Sequence, residues 1–380
     1  MHIGVNAHLL SFKAGYRRAG VSQYTEQILR HLMRDVPASG DSLTVFAAPG
    51  NPPPGYVLAP VTWRQSRLPT GGAPGRIIWE QVVAPVATVR AHIDVLFCPV
   101  NVLPILTRTP SVVTVHDLAF LAQPEAFHPS KRRYLTLMTR LSVHRARSVI
   151  AVSAYTKADL IRSFGIEAEK ITIIPNAADP RFTPVSDPAA VGAFRRSHHL
   201  PERFILFVGT LEPRKNLRRL IEAFARLAAD DADLRLVVVG ASGWLTSDLA
   251  PLVQRLNLNE RIIFTGYVAD DELPRYYQAA TVCCYPSLYE GFGLPVLEAM
   301  ACGTPVVTSR TSSIPDVTGD AAILINPTDT DAIAGALHAV LTSPERRAAM
   351  RAAGLARAAT FSWERTGAAT LAVIRRAARR

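Results

Sequence analysis

A chain of 380 residues, 48% hydrophobic and 19% charged, can build two ordinary domains with their own cores, which excludes a disordered or fibrous chain. Its four cysteines, Cys98, Cys283, Cys284 and Cys302, form no CxxC pair. That excludes a disulfide framework and the usual zinc patterns, and fits buried, reduced thiols in a cytoplasmic protein. Net charge is +11, carried by one half: residues 1–200 hold 22 Lys+Arg against 12 Asp+Glu, residues 201–380 hold 20 against 19. The surplus points to an acidic partner for the first half or to arginine-biased usage, since arginine outnumbers lysine 37 to 5.

The opening MHIGVNAHLL reads as a first strand over 2–7 and is too short and too lightly charged for a signal peptide. AGYRRAGVSQYTEQIL (14–29) is a glycine-punctuated loop entering a helix, weak evidence of a site by itself. Arg17 and Arg18 on that loop either meet a phosphorylated partner or are solvated. Strands follow at 42–48, 94–99, 111–117, 148–153 and 171–176, while residues 50–75 follow no readable pattern. In TVHDLAF, His116-Asp117 closes an apolar strand, as a site residue or as a structural histidine at a strand-end turn. The stretch 128–149 predicts a helix of Lys, Arg and His interleaved with Leu and Met. It suits either an anionic membrane surface or a half-buried core position. Ser153 is the expected N-cap of the next helix.

IPNAADPRFTPVSDP (174–188) carries four prolines and no helical period, and reads as the connection between domains. A second series of strands follows at 203–209, 234–240, 261–266, 281–287, 304–309 and 321–327. The runs in both halves are apolar on both faces, as parallel strands covered by helices are, and amphipathic segments such as 216–229 alternate with them. The expected class is α/β, with two Rossmann-like, doubly wound parallel-sheet domains. No apolar run reaches 18 residues, so no helix is expected to span a membrane.

Two stretches of the second half carry chemistry. In VGTLEPRKNLRRLIEAF (208–224), Arg214 and Lys215 precede a helix start near Asn216. Cations beside unsatisfied helical N–H groups suit a diphosphate, although two solvated surface cations would look the same. In YPSLYEGFGLPVLEAMACGTPVV (285–307), Glu290 and Glu298 flank a Gly-Phe-Gly-Leu-Pro turn. Glu298 is expected in the first helical turn, as a ligand for vicinal hydroxyls or as a helix-dipole partner. Glu290 lies in the loop itself, as a site residue or as a solvated loop acid.

The order GVSQYTEQI, TVHD, SVIAVSAYTKADL, IIPN, GTLEPRKN and EGFGLPVLE followed by AMACGTPV resembles the retaining nucleotide-sugar glycosyltransferases of the GT-B fold, family 4, over almost the whole chain. GTLEPRKN is most similar to the mannosyltransferase-like subgroup that builds bacterial surface polysaccharide. The resemblance implies an acceptor-side domain over 1–180, a donor-binding domain over 190–363 and a cleft between them. It also implies that the final helix, about 364–380, packs back on the first domain. By the same resemblance Arg214 and Lys215 hold the donor diphosphate, Glu298 the ribose hydroxyls and Glu290 the transferred sugar. The backbone at Phe292, Gly293 and Leu294 lies against sugar and phosphate. Gly20 approaches the donor phosphates and His116 lies by the reacting centre. Relatives carry Arg where Gly209 is followed here by Thr210, so Arg214 is expected to compensate.

The implied reaction moves a hexose, first of all mannose from GDP-mannose, to a hydroxyl of a glycan or lipid-linked acceptor, with retention. It requires no metal or other cofactor, and no Asp-x-Asp motif is present. A peripheral contact with an anionic membrane from the cytoplasmic side is the expected setting. The loops around 240–244 and 265–268 are expected to read the base. A UDP-sugar donor on the same fold is the alternative. Of the other classes, a phosphorylase lacks an evident pyridoxal lysine among five lysines, and a nucleic-acid binder lacks aromatic-interleaved basic motifs. A silent donor-binding subunit would not be expected to keep both glutamates and the Arg-Lys pair.

Overall fold

The computed structural model describes residues 1–10, 20–50, 52, 54–56, 60–70, 72–241 and 248–379. The chain divides into two units, Met1–Asn176 with Trp363–Arg380, and Ala177–Ser362. Arg17, Arg18 and positions 242–244 of the expected base-reading loop lie outside the described residues.

The first unit is built on seven parallel strands: β1 His2–Ala7, β2 Ser42–Ala47, β3 Val61–Gln65, β4 Val95–Cys98, β5 Ser111–Val115, β6 Ser148–Ala151 and β7 Ile171–Ile173. Their order is β3-β2-β1-β4-β5-β6-β7. The second has six: β8 Phe204–Val208, β9 Arg235–Val239, β10 Ile262–Gly266, β11 Val282–Tyr285, β12 Val306–Ser309 and β13 Ile323–Ile325. These are also parallel, in the order β10-β9-β8-β11-β12-β13. Every strand expected from an apolar run forms. The inner strands β4, β5, β8 and β11 are buried on both faces, which is why their sequences show no alternation. β3 is the strand the sequence did not reveal. It lies at the sheet edge with Thr62, Arg64 and Gln65 exposed, and Trp63 donates its indole N–H to the Tyr56 carbonyl at 2.8 Å.

Strand order reverses direction between β1 and β4 in one unit and between β8 and β11 in the other. Loops leaving the carboxyl ends of such strand pairs diverge and open a crevice where ligands of this sheet type bind.

Helix packing explains why these positions stay fixed. The helix Leu217–Asp230 turns Leu217, Leu220, Ile221, Phe224 and Leu227 into a core shared with Phe207, Leu337 and Val340. Ser153 caps its helix as expected, accepting the Thr156 amide at 3.0 Å. The C-terminal helix Trp363–Arg379 lies against the helix Val21–Ala38. Asp41 anchors it, taking the Arg375 guanidinium and the Met1 ammonium at 3.0 Å each. The four cysteines are buried and unpaired. Among the described residues no helix is long and apolar enough to cross a membrane.

Gly367 marks the tightest point of that helix contact: a Cβ there would lie 2.3 Å from the His31 ring. Gly367→Ala is therefore expected to lower stability by about 1–3 kcal/mol through overpacking. At Gly335, a helical position with open space around it, the same change should instead stabilise by up to about 1 kcal/mol. Thermal unfolding of the two variants checks the pair. Equal shifts would show that the helix contact is not the constraint.

Candidate functional site

In the second unit, β8 ends at Val208 and the chain turns through Gly209 and Thr210 into a short 3-10 turn, Pro213–Lys215. Gly240 follows β9 on the neighbouring strand, and a Cβ on it would sit 2.0 Å from the Gly209 carbonyl oxygen, so the backbones close here only with glycine. Asn216 has φ 61° and begins the helix in a left-handed conformation. Its side-chain amide donates to the Pro286 carbonyl at 3.0 Å and to the Pro327 carbonyl at 2.6 Å, tying the turn to the loops after β11 and β13.

That tie brings Arg214 and Lys215 against Glu290, which follows β11. Arg214 donates to Glu290 Oε2 at 2.9 Å and to the Tyr289 carbonyl at 3.0 Å, and its other terminal nitrogen meets Glu212 at 2.7 Å. Lys215 Nζ donates to Glu290 Oε1 at 2.6 Å and to the Tyr285 hydroxyl. Tyr285 and Ser287 donate to the same Oε1 at 2.8 and 2.6 Å. The backbone of Glu290 is held as well, its N–H by Ser312 Oγ and its carbonyl by Ser313 Oγ, both at 2.9 Å.

Two cations and two carboxylates therefore share one buried cluster. Burial alone would raise the Glu290 carboxyl, but Arg214, Lys215 and the hydrogen bonds from Lys215 and Ser287 hold it down to about 2. Glu290 is an obligate anion and acceptor at neutral pH. Lys215 is lowered, by burial first and by Arg214 next, against the pull of Glu290 and Glu212. Of the alternatives open in the sequence, the solvated loop acid and the two solvated cations do not hold: Glu290 is 6% and Lys215 7% exposed.

Glu298 lies elsewhere. Its helix runs Leu294–Ala301 with Gly293 as N-cap, which places Glu298 in the second turn rather than the first. It is thus no helix-dipole partner. The Tyr277 hydroxyl donates to Glu298 Oε2 at 3.0 Å, and Phe182 packs edge-on against Tyr277. Burial first, then Asp179 and Asp270, raise the Glu298 carboxyl against the Tyr277 hydrogen bond and Arg181, to about 7. Gly293 has φ 101°, and a Cβ there would lie 2.6 Å from Ile314. Phe292 is buried edge-on against Phe361, so its side chain is structural, and Leu294 is half-buried.

In the first unit, Gly20 caps the helix Val21–Ala38 at φ 60° with open space where a Cβ would be. One turn on, Tyr24 packs edge-on against His116 at 4.7 Å. His116 Nε2 meets the Pro99 carbonyl oxygen at 2.8 Å, an acceptor only, so Nε2 carries the proton. Asn101 accepts the His116 amide and donates to the Asp117 carbonyl. Burial lowers the imidazole pKa despite the Pro99 contact, leaving a neutral ring whose Nδ1 is an acceptor.

Sequence reasoning missed Tyr277, Tyr285, Ser287 and Glu212. Tyr285 and Ser287 stand at the carboxyl end of β11, the one signal that marked them. Tyr277 gave none, because it reaches Glu298 from another helix.

A parallel sheet in each unit, with polar side chains gathered beside the strand-order reversal, is the build of a GT-B glycosyltransferase. Residues 18–182 match the family described as Glycosyltransferase Family 4, and residues 193–357 match Glycosyl transferases group 1. The O-antigen chain mannosyltransferase B of Escherichia coli is 37% identical over 257 residues, 67% of either chain. The serotype-specific mannosyltransferase WbdA of Escherichia coli is 30% identical over 263 residues, 67% of this chain but 32% of WbdA. The sucrose-phosphate synthase of Thermosynechococcus elongatus superposes with a TM-score of 0.77 at 25% identity, over 99% of this chain and 98% of that one. Anabaena HepE, solved with UDP and glucose, gives 0.74 at 20% identity over 98% of both. The chain belongs to glycosyltransferase family 4 and is a glycosyltransferase.

The two glutamates should respond to pH in opposite senses. Glu290 is lowered to about 2, so its contribution to stability is present above the unfolded value of about 4.3 and is lost as pH falls toward 2. Glu298 is raised to about 7, so it favours the folded state less as pH rises from about 4.3 through 7. Glu290→Gln is expected to lower the melting temperature at pH 7, with the deficit closing toward pH 3. Glu298→Gln is expected to raise it at pH 8 relative to pH 5. Parallel melting-temperature profiles for wild type and both variants would refute the assignment.

Proposed function

We propose that this chain transfers mannose from GDP-mannose, with retention, to a hydroxyl of a glycan or lipid-linked acceptor in cell-surface polysaccharide synthesis on the cytoplasmic side of a membrane. The observation that carries it is the Arg214–Lys215–Glu290 cluster beside the β8/β11 reversal. Likeness to two mannosyltransferases supports the sugar.

In this reading the diphosphate draws Arg214 and Lys215 from their carboxylate partners, and their charge stabilises the leaving group as the bond breaks. No metal is needed for that. Glu290, ionised and relieved of part of its pairing, accepts sugar hydroxyls, and Glu298 accepts those of the ribose. The backbone at Gly20, Gly209, Thr210, Gly293 and Leu294 gives close approach to the donor. His116, neutral, positions sugar and acceptor rather than acting as general base. The leaving phosphate takes the acceptor proton on the face from which it departs. A UDP-sugar donor is the second reading, favoured by the fold shared with HepE.

Calorimetry with a panel of nucleotide sugars tests this. Wild type should bind GDP-mannose selectively. Lys215→Ala and Glu298→Ala should weaken binding at least about tenfold, the scale of a lost charge-assisted hydrogen bond. Glu298→Gln, which keeps an acceptor for Tyr277, guards against simple unfolding. Selective UDP-sugar binding would overturn the donor, and absence of any nucleotide binding would overturn the site.

A further inference from the structure

Among the described residues, six buried side-chain nitrogen or oxygen atoms have no hydrogen-bond partner. Two of them stand together at the end of β1 in the first unit: Asn6 Nδ2 and His8 Nε2. Their residues are 3% and 4% exposed. A polar atom buried without a partner costs free energy, so a fold that keeps two side by side calls for an explanation.

A carboxylate is buried at the same place. The chain is helical over Ala73–Arg90, and its middle turn, Trp79–Val83, is a π-helix that buries two residues, Trp79 and Glu80. Turns of this kind are frequent at functional sites. The Trp79 ring lies against the His8 imidazole, with centroids 3.8 Å apart. His8 Nδ1 meets Thr70 Oγ1 at 3.0 Å, which fixes the ring and leaves Nε2 unpaired. Glu80 faces the Arg76 guanidinium at 4.0 Å, too far for a hydrogen bond. Burial raises the Glu80 carboxyl to about 7, against Arg76 and Asn6. Burial lowers the His8 imidazole to about 4, and Arg76 lowers it further, so the ring is neutral. After burial, Glu80 is also the next cause that raises the Cys98 thiol and the Tyr134 hydroxyl. Cys98 ends β4, so these groups gather beside the β1/β4 reversal, where ligands of this sheet type bind.

The chemistry asked of a ligand here is narrow. Asn6 Nδ2 only donates, an ionised Glu80 only accepts, and His8 Nε2 does one or the other according to its tautomer. A hydroxyl both donates and accepts, so a ring carrying several of them satisfies all three. A phosphate only accepts. It would suit Asn6 but meet Glu80 as a like charge, and Arg76 is already opposed to that carboxylate.

We propose that Asn6, His8 and Glu80 form a subsite for an uncharged sugar ring of the acceptor, so that the enzyme extends a glycan end rather than a phosphorylated small molecule. This rests on the reading of a glycan acceptor and names the groups that take it. Saturation-transfer NMR on the full chain tests it. The probes are the methyl glycosides of mannose, glucose, galactose and N-acetylglucosamine, against mannose 6-phosphate and inositol 1-phosphate. Each is measured alone, with GDP and with UDP, so the outcome does not depend on the donor. At least one neutral glycoside should bind, and the phosphorylated probes should bind no better. Asn6→Leu and Glu80→Gln should each weaken that binding at least about fivefold, the scale of one lost hydrogen bond. Glu80→Gln keeps the shape of the side chain and stands as the test if thermal unfolding shows that Asn6→Leu disturbs the fold. Absence of neutral-glycoside binding under all three conditions, tighter binding of the phosphorylated probes, or unchanged binding in Glu80→Gln would overturn the proposal.

Discussion

The second unit depends on one electrostatic arrangement: Glu290 sits between Arg214 and Lys215, out of water. Burying four ions, Glu212 included, is costly, and the structure tolerates it because each charge has a partner of opposite sign at hydrogen-bond distance. Leaving one of them alone would cost roughly 3–5 kcal/mol. That cost fixes the geometry of everything around it. The 3-10 turn after β8 must present two adjacent cations, and the loop after β11 must return an acid. Asn216 and Ser313 must hold both loops in register. The sheet contributes by placing β8 beside β11, so that loops 75 residues apart in sequence meet.

Much of this was legible, for a physical reason. Strands buried on both faces are continuous apolar runs, and chemistry gathers where they end. The Arg-Lys pair and Glu290 closely follow the ends of β8 and β11, and Glu298 lies on the helix after β11. What the sequence concealed was pairing. Nothing in PRK or YEG says that Lys215 and Glu290 are partners, because that contact exists only once the strands are side by side. Glu298 lies one turn further into its helix than the sequence suggests, because the helix starts at Leu294, and its partner, Tyr277, comes from a different helix.

The helical run Ala73–Arg90 gave the sequence little to read as well. The run contains Pro74 and Pro85, and its middle, Trp79–Val83, is wound as a π-helix. Its exposed apolar residues Ile78, Val82, Val86 and Val89 fall at helical spacing, i, i+4, i+8 and i+11, but on the solvent side, where an apolar stripe marks no core. The basic segment 128–149 was visible by composition alone, yet it carries only two of the exposed apolar residues. β3 escaped for the complementary reason: an edge strand with its polar side chains in water has no apolar run to show.

The two buried glutamates show how one residue type is set to two tasks by its surroundings. Glu290 has cations on both sides and is held ionised, to about 2. Glu298 shares its surroundings with Asp179 and Asp270 and is poised near 7. A ligand that brings phosphate to Arg214 and Lys215 removes part of what holds Glu290 down. A ligand that brings hydroxyl donors to Glu298 supplies what its charge lacks. In the proposed reading each acid is thus coupled to a different chemical feature of a nucleoside diphosphate sugar. The eight-residue spacing between them places the two requirements on consecutive parts of one loop and helix.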